Sequence, residues 1–167
     1  MEYRTGNFVF DEWEIVRTIG TGASGVVYEI RKTDHDVTLT SALKVMRVPK
    51  NASVASSLYS DGLDQQSVTS YLQDVVDELI GEIKLMVSMK GFPYVVSCED
   101  YKVLRDSEAA RWDVLIRMEL LKPLQQYQQE QDMTEADVRR LGVQLSRALM
   151  LFEERHMIHR DIKPENI

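Results

Sequence analysis

The sequence predicts an α+β fold, in which an antiparallel sheet and its helices occupy separate stretches of the chain. Three strand-like runs joined by short turns come first, and one amphipathic helix follows them. Two more strand-like runs come next, and helical patterns complete the chain. Strands and helices do not alternate regularly along this order, which favours segregated layers over a parallel sheet. Hydrophobic residues make up 44% of the chain and charged residues 28%, enough for a sizeable core.

The first three strands are marked by β-branched and aromatic residues and by the residues that end them. Trp13 to Ile19 stops at Gly20, and Val26 to Ile30 follows the glycine cluster at once. Leu39 to Val48 ends before Pro49, which cannot continue a central ladder. Short turns between such runs predict antiparallel pairing.

The segment 49–70 differs in character, because it holds six serines and few large apolar residues. We interpret it as a polar insert or partly ordered connection, and prefer a solvated loop to a phosphorylated tail. From Tyr71 to Met89 the apolar positions recur at spacings of three and four, which predicts an amphipathic helix. These positions are Leu72, Val75, Leu79, Ile83 and Met86.

The remaining elements are two strands, near 95–104 and 112–118, and two helices. A short glutamine-rich helical stretch follows Pro123. Thr134 begins the next helix, with Glu135 in its first turn and Asp137 three residues on, as a helix start prefers. Its apolar residues predict one buried stripe: Val138, Leu141, Leu145, Ala148, Leu149 and Phe152.

Composition excludes several classes of protein. Acidic residues outnumber basic ones, 27 to 20, and the net charge of -7 argues against a nucleic-acid binder. A single cysteine, Cys98, excludes an intrachain disulfide framework and a multi-cysteine zinc site. The sequence contains no apolar run long enough for a membrane helix and no signal-peptide core. A soluble, cytoplasmic protein is therefore expected.

The glycines of the first turn form the pattern G-x-G-x-x-G-x-V, with Gly20, Gly22, Gly25 and Val27. This pattern also occurs in dinucleotide-binding folds, but there it joins a strand to a helix. Here strand-like sequence lies on both sides, which puts the glycines at a hairpin tip. Without a Cβ, the backbone amides of such a tip can approach phosphate oxygens. An ordinary glycine-rich hairpin remains the alternative at this point.

Lys44 lies in the middle of the third strand. Alternation puts it on one face with Ala42 and Met46. A lysine among apolar residues needs a partner or a path to water, because an unpaired buried charge is costly. Glu78 and Glu82 share a face of the following helix and are its candidate partners, and a snorkelling surface lysine is the alternative.

The sequence from His159 to Asn166 reads H-R-D-x-K-P-x-N. This segment resembles the catalytic loop of eukaryotic-type protein kinases, and the glycine loop, strand lysine and helix glutamate precede it in that family's order. The Lys163–Pro164 pair is similar to the serine/threonine branch. The resemblance covers roughly residues 10–167. It implies a kinase-like small lobe, with a five-stranded antiparallel sheet plus one long helix, followed by the first helices of a truncated large lobe.

The resemblance also implies an organisation of the chain. Residues 1–12 would be an N-terminal extension, and 13–121 the small lobe and hinge, with 49–70 as an insert before the long helix. Residues 122–167 would begin the large lobe and carry the catalytic loop.

The resemblance implies a nucleotide site for ATP. Gly20, Gly22 and Gly25 would form the lid over the phosphates, and Lys44 would hold the α- and β-phosphates with Glu82 as its partner. We prefer Glu82 to Glu78, because the residues from Glu82 to Pro93 resemble the end of the family's helix and the turn after it. The residues implied at the adenine are Val27, Ala42, the gatekeeper Met118, and the hinge backbone of Glu119 and Leu121.

The catalytic loop implies transfer of the ATP γ-phosphoryl group to a Ser or Thr hydroxyl of a protein substrate. Asp161 would accept or orient the hydroxyl proton, Lys163 would steady the γ-phosphate, and Asn166 would hold Mg²⁺. Glu165 lies where some family members attract a basic residue near the acceptor.

The chain ends one residue after Asn166, before any D-F-G segment. We therefore expect the 167 residues alone to be inactive, with a non-catalytic nucleotide-binding or interaction module derived from a truncated kinase as the alternative. The resemblance also places Cys98, five residues after Pro93, where the family has a buried packing residue. His35 and His156 are expected to be ordinary surface or helix-end residues.

Overall fold

The computed structural model describes residues 3–22, 24–106 and 110–167. Along the chain the strands and helices are β1 (Phe8–Val9), β2 (Trp13–Gly22), β3 (Gly25–Asp34), β4 (Val37–Val48), α1 (Ala52–Ser60), α2 (Gln65–Ser88), β5 (Cys98–Asp106), β6 (Arg111–Met118), α3 (Leu124–Glu130) and α4 (Glu135–Glu154). A short 3₁₀ helix, Pro164–Asn166, lies near the end. The chain divides into two compact units, one of Met1–Lys90 with Ser97–Leu120 and one of Gly91–Val96 with Leu121–Ile167.

The first unit contains a six-stranded sheet in the order β1-β2-β3-β4-β6-β5, and every neighbouring pair is antiparallel. The α+β expectation is confirmed, with strands and helices segregated along the chain. The five predicted strands are all present, and β2, β3 and β4 extend beyond their predicted ends. The sixth strand, β1, lies inside residues 1–12, the segment expected to be an extension. Its Val9 pairs with Trp13 of β2.

The sheet buries apolar residues on both faces, because alternate side chains of one strand point to opposite sides. On the face towards α2, Met46 and Val48 of β4 meet Val68, Leu72, Val76 and Ile83 of the helix and Trp112, Val114 and Ile116 of β6. On the other face a second cluster contains Tyr3, Val9, Trp13, Ile15, Ile30, Leu43, Val45 and Leu115. Burying each side chain of this size contributes about 1.5–3 kcal/mol. The alternation in β4 thus places Lys44 on the α2 side.

The segment 49–70 is not the polar loop that the sequence predicts. It contains α1 and the first turns of α2, which begins at Gln65 and not at Tyr71. The side chain of Asn51 caps α1 by accepting a hydrogen bond from the Val54 amide. Asp64 caps α2 by accepting one from the Ser67 amide. The serine-rich composition favoured a loop, although Asn51 and Asp64 are of the residue types preferred at helix N-caps.

The second unit contains α3, α4 and the segment with the 3₁₀ helix. Thr134 and Asp137 form a capping box at the start of α4, as the sequence predicts. The stripe predicted for α4 is covered only in part: Ala148 is buried and Leu141, Leu145 and Phe152 are half-buried, while Val138 and Leu149 are 55% and 46% exposed. Within this unit the other elements are short and offer too little apolar surface to cover a 20-residue helix.

Within the described residues, every helix is too short or too polar to cross a lipid bilayer.

Candidate active site

The glycine pattern lies at the tip of the hairpin between β2 and β3, as its flanking strands predict. Gly22 and Gly25 face each other in register; Ala23 lies outside the described residues. Gly25 has a φ of +128°, and a Cβ added to it would lie 2.3 Å from the carbonyl oxygen of Val45. The tip therefore packs directly against the backbone of β4, and this packing requires glycine at position 25.

Lys44 lies at the centre of the sheet, opposite Val27 on one side and Ile116 on the other. With Gly22, Gly25 and Glu82 it lines a cavity of about 660 Å³ in the first unit. Glu78 is exposed and is not among the lining residues. Lys44 and Glu82 are both described, yet no ion pair joins them; Glu82 acts on Lys44 as a nearby charge.

Two opposing effects set the proton affinity of Lys44. Burial lowers the pKa of its ammonium group, and the negative charge of Glu82 partly offsets this. The net direction is downward, so Lys44 is more easily deprotonated than an exposed lysine. An anion bound in the cavity could therefore contact the Lys44 ammonium group, which is half-buried and has no carboxylate in direct contact.

The side chains implied at the adenine lie in β3, β4 and β6. Ala42 is 5% exposed and pairs with Met118, and Gly20 lies opposite Val27. The 660 Å³ cavity is lined by none of these four residues, although Lys44, which lies opposite Val27, does line it.

The two residues expected at the hinge, Glu119 and Leu121, belong to different units. The Glu119 amide donates to the Ser97 carbonyl at 3.3 Å, and the Glu119 Oε1 accepts from the Ser97 amide at 2.7 Å. The backbone group that Glu119 offers to a ligand is thus its carbonyl. Leu121 belongs to the second unit and is 57% exposed.

The catalytic-loop residues form a local polar cluster in the second unit. The Lys163 Nζ lies 2.9 Å from the Asp161 Oδ2. The Asn166 side-chain amide donates both to the Asp161 carbonyl, at 2.8 Å, and to its Oδ2, at 2.9 Å. The Asp161 amide donates to the His159 Nδ1 at 3.3 Å, and the His159 ring meets that of Phe152 edge-on at 5.7 Å.

These contacts act on the Asp161 carboxyl. The hydrogen bond from Lys163 and then that from Asn166 lower its pKa below the ordinary aspartate value. The group is a carboxylate at neutral pH, as an ordinary aspartate is, and these two contacts lower its proton affinity. Because the pKa is depressed, its contribution to stability is present above the ordinary aspartate pKa and is lost as the pH falls through the lowered value.

The donor set near Asn166 suits a hard cation. Because the Asn166 Nδ2 is turned to Asp161, its Oδ1 is the atom left for a ligand, and Mg²⁺ takes oxygen ligands of this kind. Across the described ranges, no group of three or more His, Cys, Asp or Glu residues is placed to hold a metal ion. Asn166 fits Mg²⁺ as one ligand among water and phosphate oxygens, which is how this ion is usually bound.

Three residues expected to have no catalytic role behave as predicted. Cys98 is 1% exposed, packs in the α2-side cluster that also includes Met86, and has a raised pKa, chiefly because of burial. His35 and His156 are exposed.

Comparison with known proteins decides the family. Residues 13–167 match the family model described as the protein kinase domain. This chain belongs to the protein kinase family. The kinase fold of this chain comprises the small lobe and the first helices of the large lobe. Protein kinases generally use ATP and Mg²⁺.

A curated relative extends this result. The chain is 28% identical over 166 residues to an Aurora kinase from Yarrowia lipolytica (strain CLIB 122 / E 150). The match covers 96% of this kinase chain and 37% of the relative. The chain thus spans little more than a third of that relative's length.

Among the cavity-lining side chains that sequence reasoning did not assign to a site are Tyr3, Tyr28 and Arg47. One observation could have pointed to them. Asp113 stands in the apolar strand β6 and is 5% exposed, so it requires buried partners. Nothing in the sequence indicates that one of them is Tyr3.

Proposed function

We propose that this chain is the N-terminal part of a serine/threonine protein kinase domain, which transfers the γ-phosphoryl group of ATP to serine or threonine hydroxyls of proteins. The observation that carries the proposal is the geometry of one short loop, in which the Lys163 ammonium and the Asn166 side-chain amide both lie 2.9 Å from the Asp161 Oδ2. The Lys163–Pro164 pair supports the serine/threonine branch. We also propose that the first unit is the small lobe and that the second begins the large lobe.

The first unit supplies groups suited to bind ATP. Gly22 and Gly25 at the hairpin tip offer backbone amides without an obstructing Cβ, and Lys44 offers a half-buried cation that lines the same cavity. In the proposal Lys44 binds the α- and β-phosphates and Glu82 orients Lys44. Val27, Ala42 and Met118 bound the adenine, whose edge bonds the backbone of Glu119 and Leu121.

The second unit supplies groups suited to activate a hydroxyl. In the proposed step the hydroxyl oxygen forms a bond to the γ-phosphorus while the bond from that phosphorus to the β,γ-bridging oxygen breaks. ADP leaves with the electron pair, and the hydroxyl proton passes to the Asp161 carboxylate. Lys163 stabilises the charge on the transferred group.

Asn166 would hold Mg²⁺ through its side-chain oxygen. When bound, this ion neutralises charge on the β- and γ-phosphates. The proposed partners are ATP and a protein substrate with a serine or threonine acceptor. A cytoplasmic setting is proposed because the free thiol of Cys98 is the only one in the sequence.

Two measurements test the proposal. Calorimetric titration of the 167-residue chain with Mg-ATP tests the nucleotide site, with Lys44→Met as the variant and Lys102→Met on the exposed face of β5 as its control. Transfer of radiolabel from γ-labelled ATP to serine or threonine is measured with a longer kinase chain that contains these residues. Binding without transfer in that chain would favour the non-catalytic alternative. Absence of binding by the wild type would contradict the proposal.

A further inference from the structure

Residues 3–12 lie outside the family match but inside the fold of the first unit. Tyr3 is 8% exposed and Val9 is 6% exposed, and both belong to the cluster on the sheet face opposite α2. Backbone bonds attach the segment as well, from the Gly6 amide to the Ile15 carbonyl and from the Ile15 amide to the Asn7 carbonyl, each at 2.8 Å. The segment is thus packed and hydrogen-bonded against the sheet of the first unit.

One buried contact ties this segment to the sheet. The Tyr3 hydroxyl donates to the Asp113 Oδ2 at 3.0 Å, across 110 positions of sequence. Asp113 faces Arg47 in the β4–β6 register, and the Arg47 Nε lies 3.4 Å from the Asp113 Oδ1. The Arg47 guanidinium carbon also lies 5.8 Å from the centre of the Tyr3 ring. We name Tyr3, Asp113 and Arg47 the N-terminal clip.

The electrostatics of the clip keep the tyrosine neutral. Burial, followed by the charge of Asp113, raises the pKa of the Tyr3 hydroxyl far above its ordinary value. Tyr3 is therefore a hydrogen-bond donor at every physiological pH. The Asp113 Oδ1 is already buried without a hydrogen bond, so loss of the Tyr3 donor would leave the Asp113 Oδ2 short of a partner as well, which is costly for a buried carboxylate.

The clip adjoins the cavity that contains Lys44. Tyr3 and Arg47 line this cavity together with Tyr28, whose ring lies 6.4 Å from that of Tyr3. Arg47 is three residues after Lys44 on the same strand, a distance of about 10 Å along the backbone. Beyond Val45 the pairing of β3 with β4 ends, so this end of β4 has only β6 as a strand neighbour. Tyr3 thus bonds to β6 and lies against Arg47 of β4, at a stretch of β4 that pairs with β6 but no longer with β3.

We propose that Tyr3 is a positioning residue for the nucleotide site, because the N-terminal clip contributes Tyr3 and Arg47 to the wall of the cavity that Lys44 also lines, and so couples docking of the N-terminal segment to nucleotide binding. This inference rests on the proposed function. By thermodynamic linkage the coupling is reciprocal: undocking the segment weakens nucleotide binding, and bound nucleotide favours the docked segment.

The first test compares Mg-ATP affinity among variants of the 167-residue chain at a temperature where circular dichroism shows each to be folded. Tyr3→Phe keeps the ring and removes the hydrogen bond, while Tyr3→Ala removes both. Affinity is expected to fall about threefold for Tyr3→Phe and about tenfold for Tyr3→Ala, in the range of one hydrogen bond and of typical coupling between sites. Tyr101→Phe is the matched control, since Tyr101 is 42% exposed on β5, and is expected to leave the affinity unchanged.

The second test measures the coupling from the other side. Arg4 is exposed in the docked segment, so trypsin cleavage after it reports undocking. Saturating Mg-ATP is expected to slow this cleavage in the wild type by the factor measured in the affinity of Tyr3→Ala. In Tyr3→Ala itself, cleavage is expected to be fast and insensitive to Mg-ATP. Cleavage after Arg31, inside β3, reports global unfolding and serves as the internal reference.

The outcomes separate this inference from the proposed function. If the wild type binds Mg-ATP but both Tyr3 variants bind it equally well, and nucleotide does not alter Arg4 cleavage, the clip proposal is overturned and the proposed function stands. If destabilisation alone explains the variants, Arg4 and Arg31 cleavage rise together, which also overturns the clip proposal. If the wild type binds no Mg-ATP, both proposals fail.

Discussion

Lys44 and Asp161 are held in opposite ways. Lys44 is half-buried in the sheet, and its surroundings come from β3, β6 and α2, far apart in sequence. Asp161 is 59% exposed at its side chain, and its polar partners lie within five residues. Burial governs the pKa of the lysine, whereas hydrogen bonds govern that of the aspartate. The environment of Lys44, the proposed phosphate-binding group, thus depends on distant parts of the fold. The environment of Asp161, the proposed proton acceptor, depends on one loop.

The largest effect is expected from Asp161→Asn, because it removes the proton acceptor. Phosphoryl transfer by a kinase chain that contains these residues should fall by about 10²–10⁴-fold, the usual loss for a general base. Mg-ATP affinity should change little, since Asp161 addresses the hydroxyl. Steady-state transfer and calorimetric binding measure the two quantities. The control is Asp132→Asn, in the exposed turn before α4. Near-normal transfer by Asp161→Asn would remove the catalytic-loop assignment.

Lys44→Met should act on binding. Loss of a charged hydrogen-bond donor to phosphate should weaken Mg-ATP affinity about ten- to a hundredfold. The fold should persist, because methionine suits a half-buried apolar position. Calorimetric titration and thermal unfolding measure the two effects, with Lys102→Met as the control. Unchanged Mg-ATP affinity would show that Lys44 does not contact the nucleotide.

Gly25→Ala tests how firmly the glycine hairpin packs on β4. Its added Cβ would meet the Val45 carbonyl oxygen at 2.3 Å, in a backbone conformation that alanine rarely adopts. The free energy of unfolding, measured in urea, should fall by about 1–3 kcal/mol. Gly22→Ala is the matched control, because a Cβ there meets nothing within 4 Å, and should change stability by less than about 0.5 kcal/mol. Equal effects at both glycines would contradict the close packing.

The smallest effect concerns the charge of Glu82. Its carboxylate raises the pKa of Lys44 against the effect of burial, so Glu82→Gln should lower that pKa further. At a pH below the ordinary lysine value, more of Lys44 is then the neutral amine. Its acylation rate should rise about two- to fivefold, as for one solvent-screened charge pair. Mass spectrometry of acylated peptides measures the rate. Glu78→Gln should leave the rate unchanged, and an equal response there would favour Glu78 as the partner.

The sequence by itself determined the features that depend on neighbouring residues. The hairpin at Gly22 and Gly25, the capping box at Thr134 and the order of the five predicted strands and three predicted helices follow from local pattern and spacing. The family and the candidate roles of Lys44 and Asp161 were also predictable, because short motifs carry them.

Only the tertiary structure decided the features made by distant residues. The sequence misassigned 49–70 as a loop, because serine-rich composition outweighed two capping signals. It also left residues 3–12 as an extension, because no local pattern shows that Tyr3 reaches Asp113. The cavity beside Lys44 has the same origin. Its walls come from the N-terminal segment, the sheet, α1 and α2, and only packing brings these together.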